Sequence, residues 1–439
     1  MSTVKVLKFE NGERYPVLFS ETGLPDFWVT LYVTASLRLS HAATSIENII
    51  RDILHLRLWE ELEERELIEE FAKGVFLCPE DIHSLRDHCL IKIKSARENL
   101  NVKKSPNVLK INTLEPFKQS SKEVVSKHHY ANRISHIAGF LDFIARTVNR
   151  AKGNYAESFT MIEAMTKMLC AQKRKVMRSV GNINDHHLKV PVPEVFEQFM
   201  GVVEATSVNN PFKTPGIKNR NELMFRILYE TGVRSGELLA LRITDIDYFN
   251  SRIAIVRRHN DVLDLRSRQP VAKTLSRDVY ITSQLAQAIR KYIVETRSRI
   301  DGANKHPYLF VTHKKGKFSG KPITDASFRN RILKPVIDQF PEDFSSITRH
   351  GFRHNFNYLL SQKIDKHNQY VRQNSDLAKN EGMTYITEKE ENDIRKRLNG
   401  WSSEHTAATY NKRHIIEKTN MLMMSDMNSQ MSGVLINDK

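Results

Sequence analysis

The chain has 439 residues, with 67 Lys and Arg against 51 Asp and Glu, a formal charge of +16 and a pI near 9.6. That length admits two or three domains with real cores, and the cation excess suits a partner with a phosphate backbone without requiring one. No run of eighteen apolar residues occurs and Met1–Lys8 lacks the apolar stretch of a secretory leader, so membrane insertion and export are excluded as expectations and a cytoplasmic location is expected.

Taken from the start, Val4–Phe9 and Arg14–Leu18 flank Asn11-Gly12, a hairpin signal, and Phe27–Val33 reads as a further strand, so residues 1–40 form an N-terminal β element. That element is either an extra arm for a partner or a cap packed on the next domain. Thr44 with Glu47 reads as a capping box, followed by Ile46, Ile49, Ile50, Ile53 and Leu56 at helical spacing toward Trp59. A second helix is read over Pro79–Asn99, and the stretch 101–122, with Lys103, Lys104, Pro106, Pro116 and Lys118, as a basic irregular connection. Helical spacing resumes at Ile134, Ile137, Leu141, Ile144 and Val148, and another helix runs over Glu157–Arg174. Residues 41–180 are thus a helical domain, which ends in a cluster of cations, Lys173, Arg174, Lys175 and Arg178. A linker comes next at 181–190, then a second domain over 191–424 that ends in an amphipathic, methionine-rich helix, Ile415–Met424, and a disordered tail, 425–439.

The three cysteines, Cys78, Cys89 and Cys170, are odd in number and scattered, which argues against a disulfide framework. Cys78, His83, His88 and Cys89 match no common zinc spacing and sit in a predicted helix, so they are expected to be structural, with no metal.

Three segments of the second domain carry chemistry together: Thr231–Leu241 (TGVRSGELLAL), His350–His354 (HGFRH), and Gly400-Trp401-Ser402 with Tyr410 behind it. Attack on a phosphodiester builds charge on its non-bridging oxygens, which a pair of guanidiniums can hold in bidentate geometry; Arg234 and Arg353 are the candidate pair. A phenol oxygen becomes a useful nucleophile where neighbouring cations favour its ionised form, and Tyr410 lies beside Lys412-Arg413-His414. A leaving oxygen needs a proton, and Lys273, in Val271–Ile281 read as two short strands around a polar turn, is the candidate general acid. Alone, each residue would more often be structural: an arginine at a turn, a histidine at a helix start, a packed tryptophan or phenol. Their joint spacing carries the reading.

In these segments the chain resembles the tyrosine recombinases, the phage integrase family, whose boxes are TG-x-R-x-x-E-x-x-x-L, a hairpin lysine, H-x-x-R-H, and G-[HW]-S with tyrosine nine residues after the His or Trp. Arg234, Lys273, His350, Arg353, Trp401 and Tyr410 fall on matching positions, 401 plus nine being 410, with Glu237 and His354 in support. The resemblance covers Pro191–His414. It implies a fold that is mainly α with a mixed α+β catalytic domain, behind an N-terminal helical DNA-clamping domain. It also implies cleavage and rejoining of double-stranded DNA through a 3′-phosphotyrosyl link, with no cofactor or metal. By the same resemblance the enzyme works at the nucleoid as a homo-oligomer, a tetramer on paired sites, in integration or excision of a mobile element. Lys173, Arg174, Lys175 and Arg178 would meet phosphates where such a clamp closes. A type IB topoisomerase or a hairpin telomere resolvase would use the same ester, and a regulator could keep the fold without the chemistry; the complete residue set speaks against the last. Two departures stand out. Arg353 to Trp401 is 48 positions (401 minus 353), longer than the family's usual spacing, with a charged segment at 363–397; and Gly236 occupies the first turn of a helix, where glycine costs about 1 kcal/mol relative to alanine.

Overall fold

The computed structural model describes residues 2–104, 123–152, 155–178, 191–402 and 419, with 102, 104, 155 and 174–178 by backbone alone. The basic connection at 105–122, the side chains of Arg174, Lys175 and Arg178, the linker 181–190, Tyr410, most of the Ile415–Met424 helix and the tail 425–439 lie outside the described residues. The chain divides into two compact units, Met1–Phe9 with Arg14–Asn184, and Glu10–Glu13 with Asp185–Lys439. Both are mainly helical, and no helix among the described residues is long and apolar enough to cross a membrane.

The first unit begins with the expected hairpin: β1 (Thr3–Lys8) pairs antiparallel with β2 (Arg14–Phe19), Lys8 opposite Arg14. The third strand read over Phe27–Val33 is instead a helix, α1 (Phe27–Tyr32), continued by a π-wound turn, Val33–Leu37. Asp26 caps it, accepting from Val29 N at 2.9 Å, and Val29, Val33 and Leu37 recur every four residues on its buried side. Helical periodicity and a cap thus override the strand preference of the β-branched residues. These residues share one core with α2 (Ala43–Glu63), so the N-terminal forty residues are neither all β nor separate from the helices after them. The capping box read at Thr44 is absent: Ala42 is the N-cap and Glu47 pairs with Arg51 at 2.7 Å.

Beyond α3 (Leu67–Ala72), the helix read over Pro79–Asn99 is two, α4 (Pro79–Leu90) and α5 (Ile93–Lys104). The break has a clear cause. Buried Arg133 donates to the carbonyls of Cys89 (2.6 Å) and Ile91 (2.9 Å), and the His55 ring lies 3.1 Å from the latter. Side chains thus satisfy the last carbonyls of α4, which no continuing turn is needed to bond. Cys89 is buried, Cys78 exposed, and no group of three or more metal-binding side chains forms among the described residues. Two long helices, α6 (Lys127–Asn149) and α7 (Tyr155–Arg178), complete this unit.

The second unit is built on α8 (Pro193–Val203) and α9 (Pro215–Thr231), followed by the short α10 (Ser235–Ala240). A small antiparallel sheet comes next, β3 (Ile246–Asp247), β4 (Arg252–Ile255) and β5 (Arg277–Tyr280), with Ile253 opposite Val279 on its buried face. The partner of β5 is therefore β4, twenty-odd residues upstream, and residues 271–276 carrying Lys273 are irregular rather than a strand. After α11 (Ser283–Lys291) come α12 (Asp325–Ser327), a π-wound turn into α13 (Lys334–Gln339), and α14 (Pro341–Phe344). The HGFRH segment opens the long α15 (Gly351–Gln373), and α16 (Ser375–Asn380) and α17 (Glu388–Asn399) lead back to Gly400. An aromatic cluster anchors α15 in the core: Phe352 stacks on Phe225 at 5.8 Å and meets Phe196 and Phe199 edge-on at 5.2 and 5.6 Å. Each such pair adds to the burial of the rings.

Candidate active site

The arginine box is set by the end of α9. Thr231 closes the helix and Gly232 caps it with φ +61°, where a Cβ would lie 2.5 Å from the Phe356 ring. Only glycine supplies both that conformation and that clearance. The reversal puts Arg234 at the N-cap of α10, one turn ahead of Glu237, which accepts from Arg234 N at 2.9 Å and sits 3.7 Å from its Nη1. The Arg234 side chain is about a quarter exposed (26%), and its Nη1 makes no hydrogen bond to any described residue. Gly236 adjoins only the Val271 carbonyl at an ordinary 3.7 Å from where its Cβ would stand, so nothing local demands it.

Glu237 is buried and fully engaged. Burial works to raise its pKa, but Arg277 at 2.9 Å, the Thr274 hydroxyl and the Arg234 N–H together hold it below the usual carboxylate value. Arg277 also donates to Thr274 Oγ1 (2.9 Å) and to the Leu398 carbonyl at the end of α17 (2.7 Å). One buried guanidinium thereby joins the arginine box, the lysine segment and the Gly400 segment. Lys273 is exposed between two anchored neighbours, buried Ala272 and Thr274, and Leu275 N donates to Gly400 O at 3.0 Å. Its backbone is fixed beside the site and its side chain is exposed.

Arg353 is 1% exposed. Its Nη1 donates to Gly232 O (2.9 Å) and its Nη2 to Asn399 O (2.8 Å), so two of its five donors hold main-chain carbonyls, and its guanidinium lies 5.4 Å from the Trp401 ring centre. The two arginines therefore differ: Arg234 is partly exposed, with its Nη1 buried beside Glu237, and Arg353 knits three segments from beneath. His350 starts α15 with its ring 4.9 Å from that of His354, edge to face. Burial first, then the charges of Arg353 and Arg234, push the His350 pKa down to about 4, leaving the ring neutral and able to accept a proton. Trp401 is buried, its backbone N–H bonded to Lys396 O at 3.0 Å.

Arg234, Glu237, His350, Arg353, Trp401 and the Lys273 backbone thus come together; Tyr410 lies outside the described residues. Lys173, which is exposed near the end of α7, belongs to the first unit. Residues that sequence reasoning missed complete the site from behind. Asn357 and Asn399 bond each other at 2.9 and 3.1 Å, and fully buried Arg395 donates to Asn357 O (3.1 Å), Ser361 Oγ (2.7 Å) and Glu391 (2.6 Å). The charged segment 363–397, mostly exposed, lengthens α15 and returns as α17, clasped to α15 by this buried polar set.

A neutral imidazole, two guanidiniums, an exposed lysine and a buried carboxylate in one place form a set that suits phosphoryl transfer. Residues 198–367 match the model of the phage integrase family. Among similar proteins, transposase A of transposon Tn554 from Staphylococcus aureus is 26% identical over 183 residues, 39% of this chain and 48% of the relative. The tyrosine recombinase XerD of Halalkalibacterium halodurans is 22% identical over 57% of this chain and 76% of its own length. A solved Tn1549 transposon integrase in complex with transposon right end DNA aligns over 89% of this chain and 98% of its own, at 15% identity and a TM-score of 0.44. The chain spans about half the length of the transposases it matches.

Proposed function

We propose that this protein is a site-specific DNA recombinase that cuts and rejoins double-stranded DNA through a covalent 3′-phosphotyrosyl link to Tyr410, for integration or excision of a mobile element. The observation that carries the reading is the convergence on one spot of Arg234, with Nη1 lacking any hydrogen bond to a described residue, and a neutral His350 flanked by both arginines. Tyr410 Oη attacks phosphorus while the bond to the 5′-oxygen breaks. The phenolic proton passes to His350 and Lys273 supplies a proton to the leaving 5′-oxygen. Arg234 meets the charge that develops on the non-bridging oxygens, Arg353 and the indole N–H of Trp401 form the wall behind them, and Glu237 orients Arg234. The ester keeps the bond energy, so a 5′-hydroxyl of a partner strand can reverse the step. We assign residues 41–180, with Lys173, Arg174, Lys175 and Arg178, to a clamp on the duplex, 181–190 to its linker and 191–424 to catalysis, in a tetramer on paired sites.

The test is covalent trapping on DNA from the ends of the protein's own element, nicked so that the 5′-hydroxyl fragment escapes. A detergent-stable adduct from the wild type, absent in Tyr410→Phe and in Arg234→Ala, supports the mechanism. Tight binding of those ends without any adduct overturns it in favour of a DNA-binding regulator. Relaxation of supercoiled DNA without strand exchange between paired sites would reassign the chemistry to a topoisomerase.

A further inference from the structure

A basic loop of the second unit takes no part in the proposed chemistry. Thr312–Lys321, THKKGKFSGK, carries four lysines and no acid, and it is folded into a closed loop. Thr312 N donates to Lys321 O and Gly320 N to Thr312 O, both at 2.9 Å, extending the bridge between Val311 and Pro322. At the tip Ser319 N donates to Gly316 O at 2.9 Å. The base is locked from inside: the buried His306 ring donates through Nε2 to Gly320 O at 2.7 Å, while its Nδ1 accepts from Tyr308 N at 3.2 Å. Gly320 has φ +67° and a Cβ there would lie 2.2 Å from Asp301 O, so this junction accepts glycine alone. On the other strand His313 stacks on Tyr292 at 5.9 Å, and burial pushes its pKa down to about 3, so it adds no charge.

What this frame presents is chemically simple. Lys314, Lys315, Lys317 and Lys321 are exposed, and among the described residues none has an ion pair. Phe318 projects between them, 63% exposed, with Lys321 Nζ 5.2 Å from its ring centre. Several exposed cations of the first unit, by contrast, sit beside a carboxylate, as Lys73 beside Glu69 and Lys94 beside Glu98.

The segment that follows the loop is tied to elements that carry the site. Arg266 Nη1 donates both to Ile323 O (2.8 Å) and to Leu239 O of α10 (3.0 Å), and Asp325 pairs with Arg349, the neighbour of His350. The base of the loop lies against the first turns of α9, where Arg220 Nη1 donates to Val311 O at 3.0 Å, and α9 runs from there to the arginine box, about 20 Å away, so a preformed, acid-free loop at this end is placed to meet phosphates of the duplex beyond the one that reacts. We infer that the Thr312–Lys321 loop is a DNA-docking element, with Lys314, Lys315 and Lys317 on the backbone phosphates and Phe318 against the sugars or base edges of a groove. The inference rests on the proposed DNA substrate and adds the part of the surface that reads flanking duplex. Lysines contribute the salt-dependent, sequence-independent term, and the phenyl ring contributes an apolar contact insensitive to salt.

The experiment measures the affinity of the full chain for a fluorescent duplex between about 50 and 200 mM salt. The triple variant Lys314→Ala, Lys315→Ala, Lys317→Ala should flatten the plot of log affinity against log salt by about 0.9 for each phosphate released, up to about 2.7 in all. Phe318→Ala should lower affinity with the slope unchanged. All four side chains are exposed, so thermal unfolding should stay where it is and exclude a folding defect. An unchanged slope and affinity in the triple variant overturns the inference. So does binding of poly-glutamate that needs these lysines while duplex binding does not, which would make the loop a dock for an acidic protein. Failure of the proposed function looks different: the wild type would show the full slope yet form no Tyr410 adduct.

Discussion

Replacing Arg277 by alanine should do more damage than its position outside the recognised boxes suggests. The side chain is 5% exposed and holds the Glu237 carboxylate, the Thr274 hydroxyl and the Leu398 carbonyl at once. Removing one partner of a buried ion pair leaves the other charge uncompensated, at a cost of about 3–5 kcal/mol. At about 2–4 °C per kcal/mol for a domain of this size, unfolding of the second unit should drop by about 10 °C. The deficit should depend on pH. In the wild type Glu237 is held below its unfolded pKa, so its contribution is present above that value and lost as pH falls through the folded one. Without Arg277 burial dominates and the folded pKa rises above the unfolded one. The variant is then least penalised in acid, and the deficit grows as pH rises through the new folded value. Adding Glu237→Gln should recover most of the loss at neutral pH. Thermal unfolding of wild type, both single variants and the double variant, followed from about pH 4.5 to 7.5, reads all of this. A deficit under about 1 kcal/mol, or one that does not change with pH, would refute the assignment of Arg277 as the electrostatic partner of Glu237.

The same geometry sets two further outcomes. Gly232→Ala must take a left-handed conformation and push its Cβ into Phe356, so it should lower stability by about 1–3 kcal/mol and adduct yield with it, and Phe356→Ala in the same chain should restore part of both. With its pKa near 4, His350 is neutral through the physiological range, so the acid limb of adduct formation at subsaturating DNA should have its midpoint near 4 and vanish in His350→Gln; a midpoint near 6.5 would show that Arg234 and Arg353 do not act on the ring.

The boxes were legible because each packs its chemistry into a turn or two. Arg234 and Glu237 are three residues apart at one helix start, and His350 and Arg353 three apart at another, so local spacing alone places them. Arg277, Asn357 and Asn399 were not, since their partners lie 40 to 121 positions away and a polar residue in a strand or helix carries no mark of a distant carbonyl. The Lys273 segment was misread for a similar reason: its neighbours are set by Thr274 and Leu275 reaching Glu237 and Gly400, not by a strand pairing visible in alternation. Phe27–Val33 and the break at Ile91 show tertiary partners overriding propensity, a cap and buried helical spacing in one, Arg133 and His55 in the other.

The clasp between α15 and α17 also says how such a chain tolerates growth. Asn357 with Asn399, Ser361 with Arg395 and Arg353 with the Asn399 carbonyl fix the two ends of the excursion close to the site, independent of how many residues lie between 373 and 388. Beyond the clasp the chain returns through α16, bonded back to α15 where Asn368 pairs with Ile386, and a longer closed loop at its exposed turns costs little in loop entropy, so Trp401 stays where the clasp holds it relative to Arg353. Wide separation of two motifs along a chain is then no measure of their distance in space, and a sequence search that enforces a fixed gap between the arginine and tryptophan segments will pass over enzymes whose catalytic geometry is intact.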